Sequence, residues 1–372
     1  MSLDRRTLLG GAAGVAGLAA IGGLTATPAA AAGRSPVVRA ATPNTKLNNL
    51  FTAYANTGVG WTGADSTYSA KLSGGREIWI FSDTFLGPVN PDGGRPLTAP
   101  FINNSLIVQR GDKLSTVTGT VDSEPAAIFR PETAGNWYWM GPNLVTGKVW
   151  QQVVNEYEKT GPGGFDLAYV RTAVARVDTD RLDRPASYHP LPSLPPTISW
   201  AAWLQRVGGF TYVYGVEDLG ADKHMHVARV RGTDLRAAWQ FWTGDGWSAD
   251  PTASQRVLTG VANEYSVTPW RGRYLLVTHD TSELFSAKIV AYVSDQPTGP
   301  FTGKTVVYTT PETGPNGSYG NPNIITYNSH IHPEHSTDRR LLLTYNVNTL
   351  ANDDHYKDAS IYRPRFVDVE LS

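Results

Sequence analysis

The chain has 372 residues, a formal net charge of −1 at pH 7 and no cysteine. This near-neutral charge gives no electrostatic basis for binding nucleic acid or anionic lipid, so neither is expected as a partner. The 11 tryptophans and 17 tyrosines suit a carbohydrate ligand, because flat amphipathic rings stack on sugars, although we expect most of them to lie in a β-sheet core.

Residues 1–32 predict a secretory signal peptide. Arg5 and Arg6 precede a Gly- and Ala-rich apolar stretch, and the small residues up to Ala32 suit cleavage; the paired arginines indicate the twin-arginine route. The apolar stretch is too short for a membrane anchor, which needs roughly 20 apolar residues. We therefore expect a secreted, extracellular or cell-wall-associated protein that does not contact the membrane after cleavage. Residues 33–46 lack periodicity and predict a flexible lead-in.

The rest of the chain predicts strands, because one short pattern recurs five times. Each copy is an apolar β-type run followed by a small polar residue and an acidic residue or Asn. The copies start at Ile78, Trp137, Phe210, Tyr274 and Leu341. Repeated β-units of this size, which cannot bury themselves alone, predict an all-β fold, a five-bladed β-propeller, as a single domain over residues 47–372.

Two further elements complete the predicted fold. The modest helical candidate is Asp234–Trp239, since helical periodicity is nearly absent elsewhere. The final segment, Ile361–Val369, predicts a strand that completes a sheet begun at the other end of the chain, as terminal strands of closed propellers do.

Acidic residues mark the starts of four inferred innermost strands: Asp65, Glu124, Glu264 and Glu334. The third repeat has Trp200 and Trp203 instead. Innermost strands line a propeller's channel, so these side chains would converge on one mouth and form a sugar-cleaving site. The alternative for any single member is an acidic residue that only solvates a loop end.

Asp65 and Asp83 form the most specific pair. They flank Ser73–Gly75, and a three-residue loop centred on Gly74 places them opposite each other on a hairpin. Carboxylates on cross-strand neighbours, with Cβ atoms about 5 Å apart, do not both ionise easily, so one pKa rises. An acid beside a carboxylate is the equipment of a glycosidase, with either a retaining or an inverting outcome.

At these residues the chain resembles a known family. Trp61–Ser66, Phe81–Gly87 and Asn103–Ser105 are similar to segments of secreted actinobacterial proteins once classed as a domain of unknown function. Some of those proteins are five-bladed-propeller endo-D-arabinanases of glycoside hydrolase family 183. The resemblance implies that Asp65 and Asp83 are the catalytic pair and that the substrate is D-arabinan of mycobacterial-type cell walls.

A broader resemblance leads to a different assignment. Glu264–Ser266, Gly272–Val277 and Val293–Phe301 are similar to the fourth blade of family 43 arabinanases and xylosidases. That resemblance implies Asp65 as base and Glu264 as general acid, with Asp83 in support and L-arabinan or xylan as substrate. The chain lacks the usual Arg-Asp-Pro opening of that family.

The remaining predicted site residues would orient the substrate: Trp61, Asn104, Glu124, Trp200, His332 and Glu334. His330, His332 and His335 lie near Glu334, and a His-x-His pattern beside a carboxylate can bind zinc, but such residues more often make hydrogen bonds. We therefore predict no metal and no cofactor, with a polysaccharide as the partner. The alternative functions are a non-catalytic, lectin-like propeller and a structural wall protein.

Overall fold

The structure is a computed structural model that describes residues 35–163, 166–192, 195 and 197–372. The predicted signal peptide, residues 1–32, lies outside the described residues. No helix in the described part of the chain is long and apolar enough to cross a membrane.

The described residues form an all-β fold, with strands numbered in chain order. The first strands are β1 (Val38–Pro43), β2 (Trp61–Ala64), β3 (Tyr68–Leu72), β4 (Arg76–Phe81), β5 (Thr84–Leu86), β6 (Phe101–Ile102), β7 (Ser105–Arg110), β8 (Lys113–Val117), β9 (Gly119–Val121) and β10 (Glu124–Ala126). The middle strands are β11 (Trp137–Thr146), β12 (Val149–Lys159), β13 (Leu167–Asp178), β14 (Pro185–Pro190), β15 (Ile198–Val207), β16 (Phe210–Leu219), β17 (Asp222–Arg231), β18 (Trp239–Trp242), β19 (Trp247–Ser248) and β20 (Leu258–Thr259). The last strands are β21 (Tyr265–Trp270), β22 (Arg273–His279), β23 (Lys288–Ser294), β24 (Thr302–Thr309), β25 (Ile324–Ile331), β26 (Arg340–Thr349) and β27 (Pro364–Leu371).

Five antiparallel sheets of four or more strands follow one another along the described chain. Sheet I is β3-β4-β7-β8, sheet II β11-β12-β13-β14, sheet III β15 to β19 with β20 beside β17, sheet IV β21-β22-β23-β24, and sheet V β25-β26-β27-β1. Two smaller sheets, β2-β5-β6 and β9-β10, complete the described strands. The first strands of successive sheets contact each other from β3 to β25. The rings of Tyr68 and His330, 4.1 Å apart, join β25 back to β3.

Sheet I begins with the predicted hairpin. β3 pairs with β4 in the expected register, with Tyr68 opposite Ile80 and Leu72 opposite Arg76. Gly74 and Gly75 both have positive φ, which glycine adopts without steric cost, so the tight loop after Leu72 closes. The same register continues past the strand ends to β2 and β5, where Ala64 lies opposite Thr84.

The end of the chain confirms one prediction, and its start corrects another. β27 pairs with both β26 and β1, so the C-terminal strand does complete a sheet begun near the other end. The predicted lead-in over 33–46 is wrong for residues 38–43, because ladder hydrogen bonds to β27 order them as a strand.

Two short helices lie outside the predicted position. Helix α1 (Thr45–Asn56) begins after the cap Asn44, whose side chain accepts a hydrogen bond from the Leu47 amide, and α2 spans Asp354–Lys357. The helix predicted at Asp234–Trp239 is not formed, and that segment turns into β18.

The hydrophobic core lies between neighbouring sheets. Strand alternation sends Ile78 and Ile80 of β4 into a cluster with sheets II to IV. It sends Trp79 and Phe81 to the opposite face, against α1 and sheet V. Because both faces of sheet I are covered, the strand segments around Asp65 and Asp83 are held from both sides.

The five sequence repeats do not all occupy equivalent strands. Four of them fall on the second strand of their sheet, namely β4, β16, β22 and β26. The copy that starts at Trp137 falls on β11, the first strand of sheet II. This strand turns the side chain of Trp139 toward Asp83, as described below.

Candidate active site

Asp65 and Asp83 lie side by side where the paired strands of sheet I lead into β2 and β5. The Asp65 amide donates to the Asp83 carbonyl (3.3 Å), and the Ser82 amide donates to the Asp65 carbonyl (3.1 Å). Both side chains are half-buried. The structure thus brings the predicted pair together, as the hairpin register requires.

Two tyrosine hydroxyls bind one carboxylate oxygen of Asp65. Tyr327 from β25 and Tyr362 from the loop before β27 donate to Oδ2 over 2.6 and 2.9 Å. The other oxygen, Oδ1, is buried and has no hydrogen-bond partner among the described residues. Asp65 therefore has one oxygen held by protein donors and a second that is buried without a hydrogen-bond partner among the described residues.

Asp83 is held by nitrogen donors instead. Its Oδ1 accepts from the Asn103 amide and from the indole nitrogen of Trp139, each over 3.0 Å. The ring of Trp139 packs on that of Tyr157 at 4.4 Å between centroids, and both rings are half-buried. Partly exposed aromatic rings thus flank this carboxylate.

Burial is the main cause of raised pKa values at this pair. It holds the pKa of Asp65 well above its usual range, and the charges of Asp83 and Glu264 raise it further against the two tyrosine hydrogen bonds. Burial also raises the pKa of Asp83, although Asn103 and Trp139 oppose the shift. A pair of this kind retains a proton at a pH at which ordinary aspartates are ionised, so it can both donate and accept protons.

Three of the seven non-glycine residues with positive φ in the described chain lie around Asp65. Ser66, Asn328 and Tyr362 have φ values of 51°, 53° and 80°, in the left-handed region that residues other than glycine rarely adopt. Ser66 follows Asp65 in sequence, Asn328 follows the donor Tyr327, and Tyr362 is itself a donor to Asp65. Such strain persists only where surrounding contacts enforce it, and it clusters at functional sites.

Glu264 reaches the same region from the start of β21. Its Oε1 accepts from the Ser66 hydroxyl over 2.6 Å, and His330 Nε2 lies 3.1 Å from its Oε2. Ser66 directly follows Asp65 in sequence, so the hydrogen bond from Ser66 connects Glu264 to the residue next to Asp65. The predicted third carboxylate is therefore beside the site.

A glycine and a buried arginine hold Tyr362 against β2. A Cβ at Gly63 would come within 2.5 Å of the Tyr362 carbonyl, so only glycine permits this approach. Arg95 is buried and donates to the carbonyls of Thr62, His355 and Ala359, which ties the loop before Tyr362 to β2. These contacts fix the position from which Tyr362 reaches Asp65.

The sequence profile of a family described as a domain of unknown function, DUF5005, matches residues 44–371. The chain belongs to the DUF5005 family. No curated protein matches it.

Among solved structures, this DUF5005 chain is similar to a Bacteroides ovatus protein that has been suggested to be a hydrolase. The identity is 20%, the TM-score is 0.74, and the match covers 88% of this chain and 90% of the other. This likeness shows a shared fold.

Weaker matches are glycoside hydrolases. An α-L-arabinofuranosidase from Podospora anserina, in complex with cellotriose, has 10% identity and a TM-score of 0.48 over 85% of this chain and 93% of its own. A family 43 enzyme from Xanthomonas citri, complexed with xylotriose, has 14% identity and a TM-score of 0.49 over 88% of this chain and 93% of its own.

The DUF5005 structure corrects two predicted substrate contacts. Trp61 and Trp200 are fully buried. Trp61 packs against Phe51 and Phe81, and Trp200 packs against Phe241. Neither ring has a free face for a sugar, because each points into the core between sheets rather than toward the carboxylate pair.

Two polar predictions are also corrected. Asn104 is fully buried and exchanges hydrogen bonds with the backbone of Phe129, so it fastens a loop, while its neighbour Asn103 reaches Asp83. Glu124 is exposed on β10, in the small β9-β10 sheet apart from the five larger sheets. It does not begin an innermost strand.

His332 and Glu334 belong to a second polar group. The Ser69 hydroxyl donates to Glu334 and lies 2.5 Å from Nδ1 of His332, whose Nε2 lies 2.8 Å from the Thr344 hydroxyl. A cavity of about 110 Å³ lies between these residues and the first strands of sheets I, II and III. Glu334 follows β25 rather than beginning it, and its carboxylate contacts Ser69 rather than the side chains around Asp65.

Sequence reasoning missed the donors that complete the site, Tyr327, Tyr362 and Trp139. Tyr327 and Tyr362 lie about 260 and 300 residues from Asp65 in sequence, so spacing gives no signal for them. Trp139 stood inside a predicted repeat, but its side-chain direction depends on its being in a first rather than a second strand.

Proposed function

We propose that this protein is a glycoside hydrolase built on a five-bladed β-propeller. Sheets I to V are the blades, β3, β11, β15, β21 and β25 are their innermost strands, and β1 closes the last blade beside β27. The consecutive contacts between those first strands, and the return contact from His330 to Tyr68, support this arrangement.

The observation that carries the proposal is the half-buried pair Asp65 and Asp83, with raised pKa values and with donors on one oxygen of each. Glycoside hydrolysis needs a carboxylic acid to protonate the leaving oxygen and a carboxylate to act as nucleophile or to activate water. Burial raises the pKa of both groups, so the pair can hold a proton at a pH at which ordinary aspartates are ionised and offer both forms together. The neighbouring strained backbone is consistent with a site fixed for chemistry.

The proposed substrate is an arabinofuranosyl polysaccharide, D-arabinan of mycobacterial-type walls. Support comes from the resemblance of Trp61–Ser66 and Phe81–Gly87 to family 183 endo-D-arabinanases. The half-buried rings of Trp139 and Tyr157 beside Asp83 offer a surface on which a sugar can stack. We also propose export by the twin-arginine route and action outside the cell, supported by the Arg5-Arg6 signal.

The test is incubation of the purified protein with mycobacterial arabinogalactan, with chromatography of the released oligosaccharides. Wild type should release arabinan fragments, and Asp65→Asn and Asp83→Asn should not. Azide added to Asp65→Ala and Asp83→Ala, which leave room for the anion, then separates the roles, because a small anion restores turnover where a carboxylate nucleophile or base was removed. Absence of release by wild type on arabinan, with release from xylan or L-arabinan, would replace the substrate assignment.

A second candidate assigns the acid role to Glu264, favoured by its hydrogen bond to Ser66 beside Asp65. Loss of turnover in Glu264→Gln together with full activity in Asp83→Asn would establish it. Binding of arabinan without cleavage by wild type would instead support the lectin-like alternative.

A further inference from the structure

A second cluster of ionisable side chains lies apart from the Asp65 and Asp83 pair. Glu77 lies on β4, and Glu334 and His335 lie in a short 3-10 turn (Pro333–His335) after β25. One ligand-type atom from each of the three residues lies within 4.8 Å of the other two. Two distant parts of the chain, in sheets I and V, therefore bring two carboxylates and one imidazole to one point.

The charge of this cluster is poorly compensated. Glu77 is buried and pairs with His335, and no Lys or Arg of the described chain lies within ion-pair distance of either carboxylate. The nearby Lys71 ammonium donates to the backbone carbonyl of Glu334 over 2.6 Å. Bringing two carboxylates together at low solvent exposure is unfavourable unless a cation or a proton neutralises them.

The three side chains are held in place by neighbours. The ring of His335 stacks on Trp79, with centroids 5.7 Å apart and 12° between planes. Ser69 donates to Glu334 and thus must accept from Nδ1–H of His332, whose Nε2 accepts from Thr344. This neutral chain orients the Glu334 carboxylate without adding charge. Partners that orient ligands in this way are a regular part of metal sites.

The geometry and donor types suit one divalent transition metal. Ligand atoms at 2.0–2.2 Å from a zinc ion lie at most about 4.4 Å from each other, so the observed spacing requires only small movements. Imidazole with carboxylates favours Zn²⁺ over Ca²⁺, which prefers all-oxygen ligands. The side chain of His335 is 27% exposed, which leaves a path for an ion from solvent.

We propose that Glu77, Glu334 and His335 form a Zn²⁺ site that ties sheet V to sheet I. The metal takes the place of the hydrogen bond between Glu77 and His335, and because it competes with protons for the same ligand atoms, its binding weakens as the pH falls. This cation would cross-link the first and last of the five large sheets. The proposal is independent of the proposed function, since none of these residues contacts Asp65 or Asp83 in the described structure.

The experiment uses the full chain, dialysed against a chelator and then against buffer. Titration calorimetry with ZnCl2 should show one site, and the melting temperature should rise by about 2 °C or more when zinc is well above its dissociation constant. Glu334→Gln and His335→Gln should lose both effects. Two matched control variants at exposed positions, Glu370→Gln and His189→Gln, should retain them.

Several outcomes would overturn the site. These are no zinc binding by wild type, equal binding by wild type and Glu334→Gln, or the same thermal shift with CaCl2 and none with ZnCl2. Because Glu77 is buried and its substitution can impair folding, the two substitutions in the 3-10 turn carry the test. Melting temperatures of all variants in chelator, close to that of wild type, show that the lost response is a loss of zinc and not of fold.

Discussion

The hairpin β3-β4 and its extensions carry two carboxylate pairs with different surroundings. At its open end, Asp65 and Asp83 face hydroxyl, amide and indole donors. Nearer its turn, Glu77 meets Glu334 and an imidazole. The first pair has only donors of neutral hydrogen bonds and can retain a proton, whereas an imidazole beside the second pair offers a further metal ligand. The side chains around a buried carboxylate pair, more than the carboxylates themselves, therefore decide whether the pair binds a proton or a metal ion.

The strongest test of this contrast removes one ionisable group from the first pair. Asp65→Asn and Asp83→Asn should each lower kcat by roughly a thousandfold, within the range expected for loss of an acid or base. Initial rates of oligosaccharide release measure the effect, with the exposed Asp222→Asn as matched control. If either variant kept more than about a tenth of wild-type activity, that aspartate would have no direct catalytic role.

A second test alters the donors and leaves the carboxylates. Tyr327→Phe and Tyr362→Phe each remove a hydrogen bond to Asp65, and a hydrogen bond to a charged group contributes about 1.5–3 kcal/mol, so kcat should fall roughly tenfold or more. Since the hydroxyls favour the ionised form, their removal should raise the pKa of Asp65, and the limb of the pH–rate profile that Asp65 governs should move to higher pH. Tyr54→Phe, whose hydroxyl contacts Thr116, is the control. An unchanged pH profile would contradict the role given to the hydroxyls.

A third test uses stability. Between the unfolded-state pKa of Asp, about 3.9, and the raised folded-state value, the folded protein binds more protons than the unfolded one, so wild-type stability falls as the pH rises through this window. Asp83→Asn lacks this penalty. The free energy of unfolding of Asp83→Asn minus that of wild type should therefore be lowest near pH 4. It should rise by about 1 kcal/mol or more toward pH 7. Denaturant titrations across this range measure the difference, and a constant offset would show that burial does not raise this pKa.

The smallest effect is expected at the second pair. Glu334→Gln in the presence of chelator should leave kcat and KM within about twofold of wild type, because no hydrogen bond connects Glu334 to Asp65 or Asp83 in the described chain. Steady-state kinetics on the same substrate measure this. A large loss of activity would show that Glu334 contributes to catalysis at Asp65 and Asp83 and would contradict the separation of the two sites.

Part of this architecture could be predicted from local sequence. The hairpin register follows from a Gly-Gly turn between two apolar runs, which fixes the position of Asp83 opposite Asp65. Helix α1 also had a readable signal, a capping Asn44 followed by buried Leu47, Phe51 and Ala55 at a spacing of four. It was missed because the segment before it looked irregular.

The substrate contacts could not be predicted because they depend on which face each side chain takes. Register shifts interrupt β11 between Met140 and Asn143 and β25 between Tyr327 and His330. A one-residue slip turns following side chains to the other face. Trp61 and Trp139 both lie on strands with such a register shift, yet the first is core and the second reaches Asp83.

The pairing of β1 with β27 constrains how the protein is made. Residues 38–43 are synthesised well before their partner strand, Pro364–Leu371. During translation the backbone groups of this strand that face β27 therefore stay unpaired until Pro364–Leu371 has emerged. A strand edge left open for that time can pair with other chains, so a holding chaperone or prompt release from the ribosome would matter more for this protein than for one whose strands pair in order of synthesis.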